Sequence, residues 1–131
     1  MNIRPTTQGQ IEDQISKELS KFYVKTLGVG PKQVRTYIID DMIVIRAQSQ
    51  LLPIERHLLA GADGIELVKN MRKTLHELTT KQFNKTIKRI TNHEVIGTHS
   101  DISTKTGDRV EIFILDTNYQ KELESALLRE G

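Results

Sequence analysis

The chain divides into segments by the period of its apolar positions. Ile11, Ile15, Leu19, Phe22 and Tyr23 recur at helical spacing, with Glu12, Asp13, Lys17, Glu18 and Lys21 between them, which predicts an amphipathic helix. Gly28-Val29-Gly30-Pro31 ends it, because glycine accepts the left-handed cap and proline blocks continuation. Residues 1–8 lack such a period and read as a flexible tail, leaving 9–131 as a single domain. Between Val34 and Gln48 the pattern changes to β-branched runs that meet at Asp40-Asp41, predicting a tight hairpin. Asp tolerates positive φ less well than Asn or Gly, which leaves the turn type open. Nearly every residue beside the turn is apolar, as expected of strands covered by a helix on one face and by another element or chain on the other.

Pro53 suits the first turn of a short helix, Ile54 to Ala60, and Gly61-Ala62-Asp63-Gly64 breaks the chain after it. A long helix then runs from about Ile65 to Ile90. Its expected apolar stripe is Leu67 or Val68, Met71, Leu75 and Leu78, continued after a shift by Phe83, Ile87 and Ile90, with a kink at Thr79-Thr80. His93 to Ile102 and Val110 to Leu115 read as strands of a second hairpin, joined by the loop Ser103 to Asp108 in which Gly107 frees the turn. Asp116 or Thr117 caps a final helix carrying Leu123, Ala126, Leu127 and Leu128. The order α-ββ-α-α-ββ-α predicts an α+β fold, with both hairpins in one antiparallel sheet and the long helix packed across it.

Composition narrows the chemistry. With 37% apolar and 27% charged residues the balance is globular, and with 5% aromatics and no Trp the core is expected to be mainly Ile, Leu and Val. A net charge of +2 is too small to argue for nucleic acid or a membrane surface by itself. The absence of Cys excludes disulfides, thiolate nucleophiles and Cys-based metal sites. The polar N-terminus shows no export signal and no apolar run approaches membrane-spanning length, so a cytoplasmic location is expected.

Each chemically suggestive group also has a plainer reading. His93, His99 and Asp101 fall on one side of an extended strand and offer imidazole and carboxylate ligands, yet strand histidines are ordinarily surface residues. Ser100 to Asp108 is rich in hydroxyls and carboxylates able to cradle an anion in a backbone nest, and equally typical of a solvated hairpin loop. Gly61 to Gly64 is a GxxG between two helices, followed by Lys69, Arg72, Lys73, Lys81, Lys85, Lys88 and Arg89, the outline of a KH-like nucleic-acid module. Against it, the loop holds Asp63 and no cation, and the following helix is too long for a compact KH core. No nucleophile elbow or P-loop is present, so the sequence predicts no catalytic residues, no cofactor and no metal. The apolar stripes exceed what one sheet face needs, which predicts a homodimer.

Two longer stretches are more specific: Gly30-Pro31-Lys32-Gln33-Val34-Arg35-Thr36-Tyr37-Ile38-Ile39-Asp40-Asp41-Met42-Ile43-Val44-Ile45-Arg46, and His99-Ser100-Asp101-Ile102-Ser103-Thr104-Lys105-Thr106-Gly107-Asp108-Arg109. With the leading helix and Leu52-Pro53 they resemble the MpsC-like family of small bacterial proteins, over about Gln10 to Asp116. The resemblance implies association with a sodium-translocating, membrane-potential-generating system linked to bicarbonate supply. It implies no catalytic residues. It marks the two motifs as functional surfaces, with Arg35, Asp40, Asp41, Arg46, His99, Asp101, Ser103, Thr104, Lys105, Thr106, Gly107 and Arg109 as candidate binding residues. Loop-borne polar residues that the core does not need are where binding tends to sit. The expectation is therefore an accessory or regulatory binding protein with a membrane-protein partner and no membrane insertion of its own, and a nucleic-acid module is the alternative.

Overall fold

A computed structural model describes residues 7–49, 51–103 and 105–130. The elements are α1 (Gln8–Leu27), β1 (Gln33–Ile39), β2 (Met42–Gln48), α2 (Pro53–Leu58), α3 (Ala62–Thr91), β3 (Val95–Ile102), β4 (Arg109–Leu115) and α4 (Tyr119–Glu130). This is the α-ββ-α-α-ββ-α order expected from the apolar periods. The strands form one 4-stranded antiparallel sheet in the order β1-β2-β4-β3, so each hairpin stays intact and β2 and β4 join them at the centre.

Local chemistry sets the element ends. Thr7 and Gln10 close a reciprocal capping box on α1, so Thr7 and Gln8, assigned to the tail by periodicity, belong to the helix. Gly28, at φ +79°, takes the left-handed C-cap expected of it. Gly61 is the N-cap of α3, and Ala62, Asp63 and Gly64 form its first turn, so the predicted break is shorter than the sequence implied. Asn118, rather than Asp116 or Thr117, caps α4, its Oδ1 accepting from Lys121 N–H at 2.9 Å.

Strand alternation sorts the sheet into two faces. Thr36, Ile38, Ile43, Ile45, Ala47, Arg109, Glu111, Phe113 and Leu115 point inward and are buried. The apolar members of this set pack with Ile11, Ile15, Leu19 and Tyr23 of α1, with Phe83 and Ile87 of α3, and with Tyr119 and Leu123 of α4. Phe22, Phe83 and Phe113 stack in succession at centroid distances of 6.1 and 5.8 Å. The few aromatics thus concentrate in a core that composition alone assigned to aliphatic residues.

Helix α3 corrects one expectation. Its buried stripe is Val68, Arg72, His76, Thr79, Phe83, Ile87 and Thr91, while Leu67, Met71 and Leu78 are exposed. The helix passes through Thr79-Thr80 without interruption, and the Thr79 hydroxyl donates to the His76 carbonyl at 3.0 Å. Two ionisable side chains therefore sit in the core register, and apolar ones face out.

Candidate functional site

Register divides the residues of the two motifs among separate places. Asp40-Asp41 lies at the β1–β2 tip, beside the start of β3 and the end of β4, whereas Lys105, Thr106 and Gly107 lie at the opposite end of the sheet. Asp40 occupies the left-handed region at φ 54°, and its backbone is tied at both ends to Gln120: N–H to Oε1 at 2.9 Å, carbonyl to N–H at 3.1 Å. The second tip is pinned by its own hydroxyls, with Thr106 N–H donating to Ser103 Oγ and Asp108 N–H to Thr106 Oγ1. Thr104 lies outside the described residues.

Arg35, Arg46, His99 and Asp101 do share a surface, the outer face of the sheet. Arg35, Arg46, Val110 and Asp101 form one row across the strands, and Tyr37, Val44, Ile112 and His99 the next. Ile39, Met42 and Ile114 continue the face. This face is uncovered: Tyr37 is 44%, Ile39 45% and Val110 40% exposed. Arg35 and Arg46 stand directly opposite one another on adjacent strands, a like-charge pairing that is unfavourable by itself.

The structure separates His93 from His99 and Asp101, the other two candidate ligands. His93 precedes β3 and binds Glu122 through Nε2 at 2.6 Å and approaches Asp116 through Nδ1 at 3.3 Å. Six extended residues span roughly 20 Å, so a shared face never brought His93 near His99. Among the described residues no cluster of three metal-ligating groups occurs.

The inner face holds a second polar group, most of which the sequence did not flag. Arg72 and Glu55 form a buried fork, Nε to Oε2 at 2.5 Å and Nη2 to Oε1 at 2.7 Å, while Leu52 N–H donates to the same carboxylate at 2.9 Å. Burial pushes the Glu55 carboxyl up, but the Arg72 hydrogen bonds, the Leu52 N–H and the Arg72 charge outweigh it and leave the pKa below its ordinary value. Arg72 Nη1 also reaches the Gly107 carbonyl at 3.5 Å, which links this group to the second motif loop.

Arg109, 3% exposed, lies over the Tyr23 ring at 5.0 Å and donates to its hydroxyl at 3.4 Å. Glu111 and His76 stand beside it, Oε1 3.2 Å from Nδ1 but without hydrogen-bond alignment. Burial raises the Glu111 pKa to about 7, against the pull of the Arg109 charge and the Tyr23 hydroxyl. Burial lowers the His76 pKa, assisted by the same Arg109 charge, so its imidazole is held neutral. The missed signal was phase: Arg109 and Glu111 are in the same inward phase as Phe113 and Leu115, and Arg72 and His76 share the stripe of Val68 and Phe83.

A cavity of about 50 Å³ opens onto this group. Its polar lining comes from Tyr23, Glu55, Arg72 and Arg109, and its apolar walls include Leu27, Val29, Met71 and Leu75.

The KH-like reading gains no support. Arg72 is spent on Glu55 inside the fold, and Gly64 has a packing explanation: a Cβ there would sit 1.7 Å from the Leu58 carbonyl oxygen. No described helix is long and apolar enough to cross a membrane.

Comparison with known proteins places this geometry in a family context. Residues 7–117 match the family described as Na+-translocating membrane potential-generating system (MpsC). The uncharacterized protein YbcI of Bacillus subtilis (strain 168) is 33% identical over 121 residues, 92% of this chain and 98% of that protein. The uncharacterized protein YrhF of the same organism is 22% identical over 108 residues, 82% of this chain and 88% of that protein. No solved structure matches.

Proposed function

Because the chain belongs to the MpsC family, described as a Na+-translocating membrane potential-generating system, we propose that it is a soluble accessory or regulatory protein of such a system, acting by binding and without catalysis. The observation that carries this reading is the uncovered outer face of the sheet. Tyr37, Ile39, Met42, Val44, Val110, Ile112 and Ile114 form a contiguous apolar surface there, and surfaces of this kind mark interaction sites.

The occupant of that face is a second copy of the chain, and charge complementarity argues for it. A two-fold axis in the interface, parallel to the strands, reverses strand order and keeps each row in place. It sets β1 over β3 of the other copy and β2 over β4. Arg35 then faces Asp101 of the second copy, Val44 faces Ile112, and Met42 faces Ile114. The like-charge pair within one copy thereby gains carboxylates from the other, twice over by symmetry. Stacked sheets of this type interdigitate at a spacing of roughly 10 Å.

The homodimer leaves both hairpin tips and the helical layer free for a membrane-protein partner. Affinity retrieval from native membranes tests this level of the proposal. The expected result is co-purification of multi-spanning Na+-translocating subunits with the tagged chain; recovery of the chain alone, under conditions that keep those subunits intact, would overturn it.

A further inference from the structure

We propose that the cavity between α1, α2, α3 and β4 is a binding site for a small monocarboxylate, its headgroup on Arg109 and its short apolar chain against Leu27, Val29, Met71 and Leu75. The argument rests on charge matching inside the fold. The Arg72 cation is neutralised by the Glu55 fork, and the carboxylate of that fork is further occupied by Leu52 N–H. Arg109 has no such fork: Glu111 stands beside it and feels its charge, but makes no direct ion pair with it. Among the described residues no carboxylate lies within ion-pair distance of it, and its side-chain hydrogen bond goes to the neutral Tyr23 hydroxyl at 3.4 Å. A guanidinium carries five N–H donors in a planar fork and keeps its charge at any physiological pH. Holding that charge in a buried site with most of its donors unpaired is unfavourable.

The cavity supplies the missing side of the interaction. Arg109 lines it, and the Tyr23 hydroxyl stands beside the guanidinium as a second polar group. Its volume of about 50 Å³ exceeds the roughly 10–15 Å³ that one water needs. It stays far below the ~300 Å³ and more of pockets for drug-sized ligands. A carboxylate matches the guanidinium fork bidentately, which neither Tyr23 nor Glu111 does here. The apolar walls distinguish this ligand from a bare inorganic anion, because leucine, valine and methionine side chains reward hydrocarbon and not water. The exposed position of Met71, at 40%, places it at the cavity mouth, where a chain would enter.

The site is tested on the full-length protein by calorimetric titration and thermal shift with acetate, butyrate, hexanoate and butanol. Binding is expected for the carboxylates and absent for butanol, with affinity rising roughly fourfold for each added methylene until the cavity is filled. Arg109→Met, combined with Glu111→Gln so that no buried carboxylate is left without its cation, is expected to abolish the response while leaving the ligand-free protein folded. Met71→Trp, a change at a part-exposed site, blocks the mouth and is expected to weaken butyrate binding at least tenfold with the charged floor intact. Unaltered butyrate affinity in either folded variant, or no binding of any of the carboxylates to the wild-type protein at millimolar concentration, would overturn the assignment.

Discussion

At the residue scale the molecule is unusual for the ionisable groups it places in its core. Glu111 is 5% exposed and faces His76, Arg109 and Tyr23. Its carboxyl titrates at 4.5 in the unfolded chain and at about 7 in the fold, because burial disfavours the charge. Between those values the folded chain holds a proton that the unfolded chain has released, so the stability contributed by Glu111 is fully present below 4.5 and is lost as pH rises through about 7. His76, whose pKa is lowered, acts in the opposite sense. The unfolded imidazole takes up a proton near 6.5 that the buried one does not, so its contribution rises with pH and partly offsets the loss below that value. Glu111→Gln keeps the neutral shape and removes the ionisation. Its unfolding free energy in urea should therefore exceed that of the wild type at about pH 8, by up to ~3 kcal/mol, and approach it near pH 5. Parallel midpoints at both pH values would contradict a buried, proton-holding Glu111.

At the element scale the two helices after the first hairpin depend on one close approach. Gly64 lies in the first turn of α3, and an added Cβ would meet the Leu58 carbonyl oxygen at 1.7 Å and its carbon at 2.6 Å. Both are backbone atoms, which cannot rotate away as a side chain would. Gly64→Ala must push α2 from α3, and α2 carries Glu55, the partner of Arg72. We expect a loss of about 1–3 kcal/mol in urea denaturation, the range typical of overpacking. A wild-type midpoint in this variant would mean that α2 and α3 are not held in this arrangement. The apolar periods gave the existence and type of every element here, because a period of helix or strand is a local property. The same periods misassigned the buried stripe of α3 to Met71 and Leu78, since apolar character was taken as inward, whereas Arg72 turns inward to pair with Glu55 on another element and His76 lies buried beside Glu111.

At the scale of the whole molecule one sheet face is packed by helices and the other is open. If a second copy covers it, Val44→Glu, a half-buried site at the centre of that face, should yield a folded monomer by light scattering where the wild type is a dimer. Asp101→Arg should weaken the dimer, and Arg35→Asp combined with Asp101→Arg should restore it. A wild-type protein that stays monomeric at high micromolar concentration would rule the dimer out. Sequence by itself determined the α+β class, the order of elements, the two hairpins and the family, because periodicity, turn chemistry and motif are carried by neighbouring residues. It also put Arg35, Arg46, His99 and Asp101 in view, through the motifs that hold them. Only the tertiary structure decided that these residues share one face, that the two polar loops stand at opposite ends of the sheet, and that Arg109 turns inward to meet Tyr23, Glu111 and a cavity. Those outcomes depend on strand register and on which charges are taken out of water together, and both are set by contacts between residues distant along the chain.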